Sequence, residues 1–151
     1  MPIPDLSFHS STFYGLDVLE QMDFKPLYDK SIGIFTNKTA VNQKGSHILD
    51  LLKKHSKIDV KVIFTPQFGL FADQDKRFKM NNGEKYDPDH NARLVEVFGR
   101  NMKPPAWSVR DLDLIIIDIQ DTGVRFSTYV ATMTKILEVA SEWSLPVIVL
   151  D

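Results

Sequence analysis

The chain of 151 residues contains no cysteine. Disulfides, thiolate metal sites and cysteine nucleophiles are therefore excluded together. A domain of this length builds a sufficient core without disulfides, so their absence does not fix a compartment. No apolar run reaches the length needed to span a bilayer. The start, MPIPDLSFHSS, lacks the basic opening and apolar centre of a signal peptide. As written the sequence reads as cytoplasmic, or as a mature form whose leader has been removed. Charge of either sign is scarce in excess: 18 Lys and Arg stand against 20 Asp and Glu, a net −2, and the positive residues are scattered. A nucleic-acid-binding surface would show a basic stripe, so that class is set aside. No GxxxxGK or GxGxxG follows a strand, which leaves nucleotide and dinucleotide cradles unsupported. The four histidines, His9, His47, His55 and His90, lack metal-ligand spacing and read as surface residues. No metal or cofactor is expected.

What is present is ordinary for a globular domain, 43% apolar and 25% charged. One stretch organises it: Leu112 to Tyr129, LDLIIIDIQDTGVRFSTY. Leu114 to Ile117 is apolar on both sides, as in the middle of a parallel sheet covered by helices. Then Asp118, Gln120, Asp121, Arg125 and Tyr129 crowd together around Thr122-Gly123. Open α/β sheets bind ligands at the carboxyl ends of their strands, so any chemistry is expected here.

Residues 1–14 read as an irregular arm and residues 15–151 as one domain. Gly15 to Met22 forms a short helix with Leu16, Leu19 and Met22 as its apolar face. Lys30 to Thr36 is a strand, and Ser46 caps a helix that ends near His55. Asp59 to Phe64 is the second strand, with TPQFGL as its carboxyl-end loop. Phe71 to Asn91 is polar, with turn signals at Asn82-Gly83 and Asp87-Pro88, and reads as a long lid or binding loop. Ala92 to Phe98 fits a short strand or a helix. Val130, Met133, Leu137 and Ala140 share one face of a helix from about Ser127 to Trp143. Leu145 to Leu150 is the last strand. Strands alternating with helices predict a three-layer α/β/α sandwich with a mostly parallel, Rossmann-like sheet. The strands ending at Thr36, Phe64, Asp118 and Leu150 are expected side by side. Asp151 stands where a ligand loop would begin, so the chain reads as a fragment or one domain of a larger protein.

Asp118 and Gln120 are two apart and point the same way on an extended chain. Arg125 and Tyr129, four apart, would share a helical face. Such a set suits a polyhydroxylated or anionic ligand. It equally suits an Asp–Arg pair that holds the turn, with Asp121 as helix cap. Asn37 is either a ligand contact or an Asx turn. Gln67 is neither acid nor base and serves a ligand only through hydrogen bonds. Gly69 signals a positive φ or a close backbone approach. Lys76, Arg77 and Lys79 could meet an anion, or form a solvated loop. A phospho-acceptor receiver domain is disfavoured, because Thr36-Asn37-Lys38 stands where it needs acidic residues.

IGIFTNKTAVNQKGSHILDLL, VIFTPQFGLF, VFGRNMKPP, LIIIDIQDTGVRFSTYVATM and PVIVLD, in this order, resemble one family. It is the DUF1343 family, the bacterial exo-β-N-acetylmuramidases of peptidoglycan turnover. The resemblance runs from Gly15 to Asp151, and DIQDTGVRFSTY is its most specific part. It implies a Rossmann-like N-terminal domain that removes terminal N-acetylmuramic acid from peptidoglycan fragments, in a cleft shared with a C-terminal domain. The implied partners are a peptidoglycan-derived sugar and whatever covers the half-cleft, an absent C-terminal domain or a second copy in a homo-oligomer. Nucleic acid, membrane and cofactor are not implied, and members of the family are often secreted or periplasmic. Asn37, Gly69, Gln120, Arg125 and Tyr129 would bind substrate, with Asp118 and Asp121 as the remaining carboxylates of the catalytic set. The family pattern after the second strand is Pro-Glu-His-Gly, its glutamate the candidate acid. Here Pro66, Gln67, Phe68 and Gly69 occupy those places, so a neutral amide replaces the acid. Ser127 replaces a tyrosine usual in the family, and Arg-Pro-Asn-Pro with a second domain would follow the position of Asp151. The implied reading is a glycoside hydrolase-like domain; the alternative is a catalytically silent remnant or sugar-binding module. The Arg125 charge is expected to keep Asp118 and Asp121 ionised.

Overall fold

The strand from Leu114 to Asp118 is buried along its whole length, and a strand without a polar face needs cover on both sides. The computed structural model, which describes residues 12–66, 79–81, 84–125 and 127–150, supplies that cover. Seven strands form one sheet in the order β3-β4-β5-β2-β1-β6-β7. They are β1 (Lys30–Thr36), β2 (Ile58–Thr65), β3 (Lys79–Asn81), β4 (Glu84–Asp87), β5 (Ala92–Glu96), β6 (Leu114–Asp118) and β7 (Val147–Val149). The run β5-β2-β1-β6-β7 is parallel throughout, whereas β3-β4 and β4-β5 are antiparallel. The four predicted strands are indeed neighbours, and Ala92–Glu96 is a strand rather than a helix.

Side-chain alternation assigns the two faces. Ile32 and Ile34 of β1 and Leu114 and Ile116 of β6 pack with α1 (Gly15–Gln21) and α2 (Ile48–Leu52). Phe35, Ile115 and Ile117 face the other way, onto Ile136, Val139 and Ala140 of α3 (Tyr129–Glu142). An extra residue in β2, opposite the Ile32–Gly33 step, shifts the register there. It allows Val60 and Ile63 to serve one layer while Val62 and Phe64 serve the other.

Gly33 lies on the α3 side, and a Cβ there would stand 2.7 Å from Leu112 Cδ1 and 3.0 Å from Phe64 Cε2. Phe64 is fully buried and has nowhere to go. Gly33→Ala is therefore expected to cost about 1–3 kcal/mol through overpacking, measurable as a lower urea midpoint with an unchanged m-value.

Several local expectations need correction. The polar stretch before Asn91 is not structureless in its described part, since Lys79–Asn81 and Glu84–Asp87 pair as a hairpin that extends the sheet. Met22 is half exposed, and buried Phe24 takes its place in the core. His47, not Ser46, caps α2, accepting from Leu49 N at Nδ1 over 3.3 Å. His47 is buried and the His90 side chain is only 5% exposed, each held by a specific partner. His47 Nε2 donates to the Asn37 carbonyl at 2.9 Å, and His90 Nδ1 sits 2.6 Å from Asp87 Oδ2. A hydrogen-bonded histidine needs no water, so exposure did not follow from its polarity. Among the described residues no helix is long and apolar enough to cross a membrane.

Candidate functional site

The chain leaves β1 towards β2 on one side of the sheet, and β6 towards β7 on the other. The carboxyl ends of β1 and β6 therefore flank a topological switch point, where open α/β sheets leave a crevice. A cleft of about 600 Å³ lies there, within the usual range for small-ligand sites. Asp118, Gln120 and Asp121 line it from the β6 end and Thr39 and Val41 from the loop after β1. Tyr14, Val130, Met133 and Val149 complete its walls.

Each wall is fixed locally. Asn37 Oδ1 accepts from Thr39 N at 2.9 Å and also from Thr39 Oγ1, an Asx turn closed by its own side chain. Thr39 Oγ1 in turn accepts from Gln120 N at 3.2 Å, tying the two strand-end loops together. Asp17 holds Tyr14 in place by accepting from its backbone N at 3.1 Å, and accepts from Gln43 N at 2.9 Å with its other oxygen. Helix α1 is thereby fastened to the loop after β1.

The two aspartates occupy opposite environments. Asp121 Oδ1 accepts from Ser127 Oγ at 2.6 Å and Oδ2 accepts from Gly123 N at 2.8 Å. The Ser127 bond first, and backbone donors second, hold its carboxyl below the usual carboxylate range. Asp118 is 8% exposed. Its Oδ2 is sealed from solvent with no hydrogen-bond partner. Burial alone pushes its pKa up to about 7. The expectation that Arg125 keeps both ionised is thus corrected. Arg125 is exposed and makes no ion pair with a described residue, Asp121 is ionised by hydrogen bonds, and Asp118 carries a proton below about pH 7.

Of the residues singled out in the sequence, Asp118, Gln120 and Asp121 come together in the cleft. Asn37 is buried and serves the turn; Arg125 and Tyr129 lie outside the lining. They do not share a helical face either, because α3 begins only at Tyr129 and Thr128 is its N-cap. Gln67, Phe68, Gly69 and Phe71 lie outside the described residues, as do Lys76 and Arg77. Thr39 went unnoticed, although its place two residues after a strand-end asparagine was a usable signal. Tyr14, Val130 and Val149 had none, since only the tertiary fold delivers them. All three are about half exposed, so the cleft has an apolar rim. Among the described residues no cluster of His, Asp and Glu is arranged to hold a metal.

Fold and cleft together define an α/β domain with a ligand crevice at the switch point of its sheet. Residues 32–151 match the sequence family "Exo-beta-N-acetylmuramidase NamZ, N-terminal", and the chain belongs to that family. It is 31% identical over 137 residues to the peptidoglycan beta-N-acetylmuramidase NamZ of Bacillus subtilis (strain 168), covering 91% of this chain and 33% of that protein. Two crystal structures of DUF1343 family proteins from Bacteroides fragilis NCTC 9343 share the fold. One has a TM-score of 0.78 at 29% identity and the other 0.71 at 27%, each covering 92% of this chain and 34% of the neighbour. The chain thus spans about a third of the length of these relatives.

Proposed function

We propose that this chain is the sugar-binding part of a glycoside hydrolase of the exo-β-N-acetylmuramidase type, and that its cleft takes a terminal N-acetylmuramic acid from peptidoglycan fragments. The observation that carries the reading is Asp118, a buried carboxyl group without a partner on the wall of a sugar-sized cleft. Buried polar atoms are normally paired, and an unpaired carboxyl group in the wall of a cleft is best explained by a ligand that completes it. Gln120 adds an amide, and the apolar walls suit the non-polar face of a pyranose ring. The named activity of the Bacillus relative supports the choice of sugar.

A second reading, a binding module with little hydrolysis, is favoured by Gln67 at the family's acid position. It is favoured further by Asp121, whose two oxygens are already engaged in its own turn. Glycoside hydrolysis asks for two available carboxyl groups, and among the described residues that line the cleft only Asp118 is uncommitted.

Val130 stands half exposed at the cleft wall on the first turn of α3, so a larger side chain there fills the cleft without entering the core. Val130→Trp is expected to weaken N-acetylmuramic acid binding at least tenfold, by calorimetry or by ligand-observed NMR, and to leave the unfolding free energy within about 0.5 kcal/mol. Unchanged affinity in this variant would place the sugar elsewhere.

A further inference from the structure

Asp118 poses a problem that sugar binding alone does not solve. Among the described residues its carboxyl group has no hydrogen-bond donor and no cation, yet it is more than nine-tenths enclosed at the ligand cleft. The described groups that line the cleft with it are few. Its own strand-end loop brings Asp121, an anion, and the neutral Gln120 amide; the stretch before α1 brings the Tyr14 phenol; the loop after β1 brings the neutral Thr39. Helix α3 brings only Val130 and Met133, and the β7 end only Val149 and Leu150. Lys38 and Arg125 are exposed and do not line the cleft. An ionised carboxylate placed so would be a buried charge without compensation, which proteins avoid by neutralising the group. A neutral carboxylic acid is a hydrogen-bond donor, and it seeks an acceptor.

We propose that Asp118 meets the ligand of this cleft as a neutral acid, donating one hydrogen bond to a carboxylate or acyl oxygen of the ligand, and that ionisation of Asp118 releases that ligand. The proposal rests on the cleft assignment above and adds the chemical group that is read and a pH at which it is let go. N-acetylmuramic acid carries both kinds of acceptor, a carboxylate on its lactyl ether and an acetamido carbonyl. With a carboxylate ligand the acid form is selected twice over: it supplies the donor, and it removes the repulsion between two anions. The burial that lifts the Asp118 ionisation to about pH 7 sets the release point.

The test uses the full chain labelled with ¹³C, with the Asp118 side-chain carboxyl carbon followed from pH 4 to 9. Affinities for N-acetylmuramic acid, and for acetate as a bare carboxylate probe, are measured from pH 6 to 9. The expected result is an Asp118 midpoint near 7 and affinities that fall about tenfold per pH unit above it, as single-proton linkage requires. Asp118→Asn keeps a neutral donor and should bind with pH-independent affinity. Acetate binding that shows the fall, with no binding of the sugar, would uphold the proton-gated donor and refute the sugar assignment. Sugar binding that stays flat across this range would do the reverse. An Asp118 midpoint below 5, or no binding of either probe, overturns the proposal.

Discussion

Gln67→Glu is expected to turn a chain that leaves a chromogenic muramic acid glycoside intact into one that cleaves it. The reasoning is chemical. The leaving oxygen of a glycoside must receive a proton, and the family resemblance implies a glutamate for this where the chain carries Gln67. An amide neither donates as an acid nor accepts as a base in the required sense. General acid assistance contributes roughly 10²–10⁴-fold, so a gain of about that size is the expected upper range. Steady-state release of the chromophore from both chains, from pH 5 to 8, decides the matter. Turnover by the native chain that disappears as pH passes about 7 would assign the acid role to Asp118, whose ionisation lies there. Silence in both chains would put the deficit in surfaces that the relatives carry beyond the third they share with this chain.

Asp118→Asn is expected to stabilise the fold at neutral and alkaline pH. In the unfolded chain Asp118 ionises near 3.8, and in the fold near 7. Below pH 3.8 both states hold the proton and Asp118 costs nothing. Between those values the unfolded chain releases its proton and the fold does not, so stability falls as pH rises. Above about pH 7 the whole penalty stands. At about 1.4 kcal/mol per pH unit between the two ionisations, it amounts to roughly 4 kcal/mol. Asparagine fills the same space without the charge. The variant should therefore match the native chain at pH 4 and exceed it by up to roughly 4 kcal/mol at pH 8 in urea unfolding. Equal stability at pH 8 would show that Asp118 is satisfied in the fold.

The sheet was legible because its strands carry their signal locally. Four apolar neighbours from Leu114 to Ile117 allow little else than a buried parallel strand, and the apolar run Leu145 to Leu150 supplies β7, which pairs parallel with β6 at the edge of the sheet. The hairpin of β3 and β4 was not legible: Lys79–Asn81 and Glu84–Asp87 are short and polar, and they become strands because β5 offers an edge to pair with. The cap of α2 was misread for a related reason. Ser46 has the better intrinsic propensity, but His47 reaches both the helix start and the Asn37 carbonyl, and the tertiary bond wins.

At the site, residue identity located Asp118, Gln120 and Asp121, because polar residues directly after a buried strand stand at its carboxyl end whatever the details. Their charge states could not be read that way. Arg125 is close in sequence, yet the turn leaves it in solvent, and Ser127 answers Asp121 instead. The raised ionisation of Asp118 comes from its burial in the folded chain, by elements distant from it in sequence. No sequence window contains that information.

The most direct test of the central claim is an amide chemical-shift map of the ¹⁵N-labelled chain titrated with N-acetylmuramic acid at pH 6. The account predicts that shifts concentrate on Thr39, Val41, Ile119 to Asp121, Val130 and Val149, the walls of the cleft at the carboxyl edge. Shifts confined to the opposite side of the molecule, around Arg93, Trp107 and Arg110, would contradict it.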